Sequence, residues 1–155
     1  MAGRNALDIG PLAHSPLLDG IPQEQVEHLV ELARRVPLSG DQIAVHQGSQ
    51  GESLFLLYSG AIAITRCDDA GPEVVLASLC EPGSFFGEMS LVDPAPRSAT
   101  VRSQGDAVLL ELPLQVLEGF FARYPEARAK FLRNIARMLA RRLRAVNVRL
   151  TAGKL

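Results

Sequence analysis

The sequence lacks tryptophan and is poor in aromatic residues, which make up only 5% of its 155 residues. Its core must therefore be built from leucine, valine, isoleucine and alanine, and the length suits one domain, residues 1–155. No apolar run approaches the roughly 20 residues that cross a bilayer, and no basic stretch followed by an apolar block opens the chain. We therefore expect no transmembrane segment, no signal peptide and a cytoplasmic location.

Cysteine is also scarce. The two cysteines, Cys67 and Cys80, lie in strand-like segments with no metal-ligand spacing around them, which predicts two buried, reduced thiols and no metal site. The sequence has no Ser/His/Asp cluster and no Walker-type phosphate loop. We therefore expect neither an enzyme nor a protein with a cofactor.

Charge is unevenly distributed, although the net charge is only −1. Residues 123–155 contain ten basic residues and one acidic residue, a net charge of +9. Residues 1–122 contain 6 basic and 16 acidic residues, a net charge of −10. A basic C-terminal segment of this kind is either a solvated face or a contact for an anionic partner.

The hydrophobic pattern changes twice along the chain. After an irregular segment at 1–20, apolar residues recur at helical spacing over 21–35, and Pro22 suits a first helical position. Residues 36–113 alternate short apolar runs with turn residues, which predicts six or more strands. Helical spacing returns over 114–150, with a break at Tyr124-Pro125. The predicted strands are 43–45, 53–58, 61–65, 74–79, 99–102 and 107–112.

These elements predict the fold class α+β. We expect a β-roll, a jelly-roll-like antiparallel sandwich over 36–113, flanked by one N-terminal helix and two C-terminal helices.

One stretch of the β region, residues 85–101, does not read as a simple strand. A helical turn opening at Gly87 would present free backbone N–H groups and a partial positive charge, which together favour an anion. Arg97, predicted to begin the next strand, adds an always-charged fork suited to two phosphate oxygens. Glu88 would repel a second negative charge but accept a hydrogen bond from a hydroxyl. The residues describe a ligand with one phosphate beside a ribose hydroxyl.

The same stretch resembles the phosphate-binding cassette of the cyclic-nucleotide-binding domain family, whose motif is F-G-E-x-[SA]-L, a short link, then R-[STA]-A-x-V. The resemblance covers roughly residues 15–145 and includes glycines upstream, Gly48, Gly60 and Gly83. Every fixed position of the motif is matched, by Phe86-Gly87-Glu88-Met89-Ser90-Leu91 and by Arg97-Ser98-Ala99-Thr100-Val101.

The resemblance implies roles for individual residues. Glu88 would accept a hydrogen bond from the ribose 2′-OH, and Arg97 would pair with the cyclic phosphate. Ser98 would add a hydroxyl, and serine at this position favours cAMP over cGMP within the family. Backbone N–H groups would support the phosphate at Gly87, Met89, Ser90 and Ala99. The base would lie against residues 77–80 and Phe86, and Arg141, Arg142 or Arg144 of the last helix could stack on it.

The last predicted helix, Pro125 to Leu150, carries apolar residues at the spacing of a short coiled coil. This seam either packs on the roll or pairs with a second copy or an effector protein. Family members that regulate transcription carry a helix-turn-helix after this helix, and none precedes Leu155, so we expect no sequence-specific DNA binding. The seam residues are Leu132, Ile135, Leu139, Leu143, Val146 and Leu150.

Two functions remain open from the sequence. The first is a regulatory domain that binds a cyclic nucleotide, preferably cAMP, and moves its C-terminal helix in response. The second is a ligand-free interaction or dimerisation module with a vestigial cassette, which acts through its basic C-terminal helix. The chain is either a whole protein or a fragment of a larger one.

Overall fold

The computed structural model describes residues 6–153, so the ends of the predicted irregular segment and of the predicted single domain, 1–5 and 154–155, lie outside the described residues. Two 3₁₀ turns, Gly10–Leu12 and Pro16–Leu18, precede the first helix. The helices are α1 (Gln23–Leu32), α2 (Met89–Val92), α3 (Leu114–Arg123) and α4 (Pro125–Thr151). The strands are β1 (Arg34–Leu38), β2 (Ile43–Val45), β3 (Ser53–Arg66), β4 (Val74–Leu79), β5 (Phe85–Phe86) and β6 (Thr100–Pro113).

The strands form one antiparallel sheet that curls into a roll. The order is β1-β6-β3-β4, with β2 also paired to β6 and β5 to β3. The two longest strands, β3 and β6, pair along most of their length, and their register shifts on both sides of Ser59-Gly60. Such shifts bend a strand pair, so the sheet curves here. The predicted α+β fold class is confirmed.

Two apolar clusters fill the protein. One lies inside the roll and includes Leu57, Ile62 and Leu109. The larger one lies between the roll and the helices, where Phe120 and Phe131 are among the most deeply buried side chains. Aliphatic residues form most of both clusters, as the scarcity of aromatic residues requires.

The N-terminal segment ties α4 to the turn that leads into β5. The amide of Asn134 donates to the carbonyls of Leu17 and Asp19 at 2.7 and 3.0 Å. In the same N-terminal segment, the Ser15 hydroxyl donates to the Gly83 carbonyl at 2.7 Å. The first half of α4 is therefore fixed on the same side of the roll as the cassette.

The predicted helix 21–35 is too long. Helix α1 ends at Leu32, and Arg34–Leu38 forms β1, which pairs with residues 107–111 of β6. Helix propensity is a weak preference that sheet pairing overrides, so Arg34 and Arg35 are extended. The predicted strands 53–58 and 61–65 are one strand, β3, and 99–102, apart from its first residue, and 107–112 belong to one strand, β6. The turn residues between them lie inside these strands, with Gly60 and Gly105 at φ of 83° and 78°.

The prediction that both cysteines are buried is wrong, because Cys67 and Cys80 are exposed free thiols. Cys67 follows the end of β3, and Cys80 follows β4, which forms one edge of the sheet. An edge strand of a roll has less cover than a central one, and Val74, Val75 and Leu76 of β4 are more than half exposed as well. Between residues 6 and 153, no helix is both long and apolar enough to cross a membrane.

Candidate ligand-binding site

Gly87 joins β5 to α2 in a conformation that only glycine adopts without strain. Its φ is +79°, and a Cβ here would lie 2.7 Å from Nη1 of Arg97 and 2.8 Å from the carbonyl oxygen of Ser53. A left-handed residue does not belong to a helix, so α2 begins at Met89 and not at Gly87 as predicted. The glycine thus allows the cassette to approach both the arginine and β3.

Arg97 is held by its backbone and by its side chain. Its amide donates to the Ser49 carbonyl and its carbonyl accepts from the Gly48 amide, both at 2.7 Å. The guanidinium donates to the Ser53 carbonyl at 2.6 Å, and to the Ser90 hydroxyl at 3.4 Å. Arg97 lies in the connection before β6, which begins at Thr100, so its predicted place at a strand start is wrong.

The charge of Arg97 is partly buried beside two carboxylates. Burial lowers the pKa of Arg97 from its ordinary value, and the carboxylates of Glu111 and Glu88 oppose that shift. The guanidinium carbon also lies 5.8 Å from the centre of the Phe55 ring, which stacks on Phe86 at 4.9 Å. An arginine stays protonated under such conditions, so the site presents a fixed, partly desolvated cation.

Glu88 is a buried carboxylate that contacts the last helix. Only 3% of the residue is exposed, and its Oε1 accepts a hydrogen bond from Nη1 of Arg142 at 3.2 Å. Arg142 lies on α4, and its side chain is 52% exposed. A buried carboxylate requires a partner, and Arg142 supplies one to one of the two oxygens.

A cavity of about 450 Å³ brings these groups together. Its polar part contains Glu88, Asp93, Arg97 and Arg142, two acids and two cations, and its apolar wall includes Leu76. This size and lining suit one small ligand that has both a charged group and a less polar part. All eight residues predicted as ligand contacts line this cavity: Phe86, Gly87, Glu88, Met89, Ser90, Arg97, Ser98 and Ala99.

The structure places some predicted groups differently. Of residues 77–80, predicted to contact the base, Ala77 lines the cavity, as does its neighbour Leu76. Of the three arginines left open for the last helix, Arg142 lines it, and it does so at the carboxylate of Glu88. The Ser90 amide, predicted to face the phosphate, donates to the Gly87 carbonyl at 3.3 Å within the turn.

Three positions near Arg97 were missed from the sequence. Ser53 contacts the arginine through its backbone carbonyl, which carries no residue-type signal. Glu111 faces Arg97 from near the end of β6, where the sequence shows only an ordinary polar strand residue. Gly51 leaves room for the Ser90 hydroxyl, which an added Cβ would crowd, and only its place among turn residues marked it.

Comparisons with known proteins agree with this geometry. The family model described as "Cyclic nucleotide-binding domain" matches residues 35–124. The "Cyclic AMP receptor protein" of Thermus thermophilus is 37% identical over 88% of this chain and 61% of its own length. "Glutaminase 1" of Bradyrhizobium diazoefficiens is 34% identical over 89% of this chain and 22% of its own.

A solved structure is similar as well. The N-terminal domain of a transcriptional regulator from Streptomyces coelicolor superposes with a TM-score of 0.76 at 30% identity, covering 84% of this chain and 93% of that one. The chain spans about three fifths of the Thermus relative and about a fifth of the glutaminase. The matched model covers more than half of the chain and includes the whole cassette. The chain therefore belongs to the cyclic nucleotide-binding domain family.

Proposed function

We propose that the domain binds one molecule of cAMP in this cavity and transmits binding through α4, in a regulatory and non-catalytic role. The observation that carries the proposal is the placement of Arg97 and Glu88 in one cavity, with Gly87 directly before Glu88 in the chain. The guanidinium binds the cyclic phosphate as a charge-assisted pair, and the buried carboxylate accepts the ribose hydroxyl. The apolar wall with Leu76 and Ala77 covers the base.

The preference for cAMP rests on the rim of the cavity. Ser98 is exposed there, and its carbonyl accepts a hydrogen bond from Arg66 at 2.9 Å, which fixes the backbone beside Arg97. Members of the family that prefer cGMP tend to carry threonine at this position. The hydroxyl of serine is less constrained than that of threonine, so Ser98 gives guanine less advantage over adenine. An apolar wall also costs the less polar adenine ring less desolvation.

A titration of the protein with cAMP and with cGMP tests the proposal. We expect cAMP at about a hundredfold excess over its Kd to raise the unfolding temperature by several degrees, because binding to the folded state alone adds about 2.7 kcal/mol. We expect a smaller rise with cGMP at equal concentration. We expect calorimetry to give a stoichiometry of one ligand per chain. An unfolding temperature that neither nucleotide changes would contradict the proposal and favour the ligand-free interaction module.

The route of transmission is the contact between Glu88 and Arg142. The carboxylate whose second oxygen would accept the ribose hydroxyl is the one that holds α4 at the site. A ligand shifts the position of a helix only by the difference in its affinity for the two positions. We propose that cAMP favours the engaged position, since it adds a negative charge beside Arg97, in the cavity that Arg142 also lines.

The second half of α4 offers a surface for a second copy of the chain. Ile135 is buried on the protein's own core, but further along four apolar residues at spacings of 4, 3 and 4 are exposed by 37 to 62%. That spacing is typical of the seam of a coiled coil, which buries such residues between two helices. The exposed seam residues are Leu139, Leu143, Val146 and Leu150.

Sedimentation equilibrium of Leu143→Glu tests this pairing. We expect the unmodified protein to dimerise in the micromolar range and the variant to associate at least about tenfold more weakly, because the buried seam would contain two like charges. Ala145→Glu is the matched control, since it adds the same charge two positions beyond the substituted leucine and off the seam. A protein that stays monomeric at about 100 µM, with or without cAMP, would overturn the pairing.

A further inference from the structure

Two side chains, those of Ser53 and Glu111, lie beside Arg97 on the face of the sheet that carries Phe55, the register partner of Glu111. Ser53 begins β3, and Glu111 is near the end of β6. The Ser53 hydroxyl donates to Oε1 of Glu111 at 2.9 Å, while the Ser53 carbonyl accepts from Nη2 of Arg97 at 2.6 Å. One residue of β3 therefore joins the carboxylate to the guanidinium.

A third strand completes this arrangement. Arg34, at the start of β1, is the register partner of Glu111 and forms an ion pair with its other carboxylate oxygen. Arg34 is 74% exposed, whereas Glu111 is 15% exposed. An exposed cation of this kind contributes little by itself but keeps the carboxylate turned along the sheet. Glu111 is thus held from β1 while it holds Ser53 on β3.

The arrangement bears on the phosphate because the guanidinium of Arg97 has two described hydrogen-bond partners, the Ser53 carbonyl and the Ser90 hydroxyl. The bond to the Ser53 carbonyl is the shorter of the two, so the orientation of that peptide sets the direction of the guanidinium fork. A bidentate pair is sensitive to direction, since both N–H groups must point at separate oxygens. A rotation of the Ser53 peptide would therefore misalign one of the two bonds.

We propose that Glu111 is a positioning residue for the cyclic phosphate, which acts through the Ser53 hydroxyl and carbonyl on the fork of Arg97. The inference rests on the proposed function, because it assumes that Arg97 binds the phosphate. It assigns to β6 a role in ligand binding that lies ten residues beyond the end of the cassette motif. Glu111 itself touches no ligand.

Two sulfur-substituted forms of cAMP test the direction of the fork. In each diastereomer, one of the two exocyclic phosphate oxygens is replaced by sulfur, so each form reports on a different N–H group of Arg97. We expect Glu111→Ala to bind cAMP about three- to fivefold more weakly, and to change the ratio of the two diastereomers' Kd values by at least about threefold. A general loosening of the protein would lower all three affinities by the same factor and leave that ratio unchanged.

A conservative variant and a double-mutant cycle test whether Glu111 acts through Ser53. Glu111→Gln keeps an acceptor for Ser53, so we expect its affinity and its ratio to stay close to those of the unmodified protein. Ser53→Ala removes the donor and should reproduce the alanine effect, with no further loss in the double variant. Glu118→Ala, an exposed acid on α3, is the matched control.

The outcomes are distinct. An unchanged ratio in both Glu111→Ala and Ser53→Ala overturns the inference, as does a glutamine variant that behaves like the alanine variant. If Glu111→Ala fails to fold, Ser53→Ala alone decides. If the unmodified protein binds none of the three nucleotides, the proposed function fails instead, which is a different result from a bound ligand with an unchanged ratio.

Discussion

Replacement of Arg97 by alanine will lower the affinity for cAMP at least about a hundredfold. The guanidinium is the one cation of the cassette itself, and it is already aimed by the Ser53 carbonyl. Each charge-assisted bond contributes about 1.5–3 kcal/mol, and a bidentate pair contains two of them. Their joint loss corresponds to two or more factors of about ten in Kd. Calorimetry with cAMP measures this loss directly.

The variant will remain folded, which makes the result interpretable. Arg97 is partly buried, and burial lowers its pKa because it disfavours the charged form. The relief of this cost on removal of the side chain offsets part of the loss of its contacts. We expect the unfolding temperature without ligand to change by no more than about 4 °C. Arg35→Ala, which removes an exposed arginine of β1, is the control and should bind like the unmodified protein. An unchanged affinity in Arg97→Ala would refute the assignment of the phosphate to this residue.

The sequence was sufficient for the parts of the molecule that depend on local pattern. The cassette was identifiable because its residues are close in the chain and chemically distinctive: a glycine, an acid and an arginine within eleven positions. The long helix was equally clear, and its predicted bounds differ from Pro125–Thr151 by one residue. Both features need no contact with a distant segment to be recognised.

The errors lie where a distant strand decides the outcome. Arg34 and Arg35 continue a helical pattern, but pairing with 107–111 makes them extended. Pro37 is compatible with that strand only because β1 is at an edge of the sheet, where a missing amide donor costs little. The cysteines were predicted from composition to be buried, but the exposure of each depends on what covers β4 and the end of β3, which no local pattern contains.

The residues of the site could be predicted from the sequence, but the contacts that orient them could not. Gly87, Glu88 and Arg97 were identified from the sequence, and the structure brings them to one cavity. The residues that aim them were not identified, because Ser53 acts through its carbonyl and Glu111 across a sheet register. Arg142 could not be chosen over Arg141 and Arg144, since one helical step of 100° separates a side chain at the cavity from one in solvent.

Because Arg142 lines the cavity and Arg141 does not, substitutions at these two positions test transmission through α4. We expect Arg142→Ala to bind cAMP about tenfold more weakly, because the cavity would keep the acids Glu88 and Asp93 against Arg97 alone. A cavity with an uncompensated negative charge opposes an anionic ligand. The half-exposed side chain of Arg142 limits the size of the effect, which is therefore smaller than that of Arg97→Ala.

Hydrogen exchange of α4 provides a second measurement on the same variant. In the unmodified protein, we expect saturating cAMP to slow amide hydrogen exchange over residues 136–150, since the ligand favours the engaged helix. In Arg142→Ala saturated with cAMP, that protection should be absent, because the helix has lost its contact with Glu88. Binding and helix response would then be separated in one variant.

Arg141→Ala is the matched control for both readings. It removes the same charge from the adjacent position of α4, and Arg141 does not line the cavity. It should leave the affinity within about twofold and the protection of 136–150 intact. If Arg142→Ala and Arg141→Ala behave alike, the contact with Glu88 does not transmit binding. If Arg142→Ala retains full protection when cAMP is bound, α4 responds through its packing on the roll, and the arginine contributes only charge.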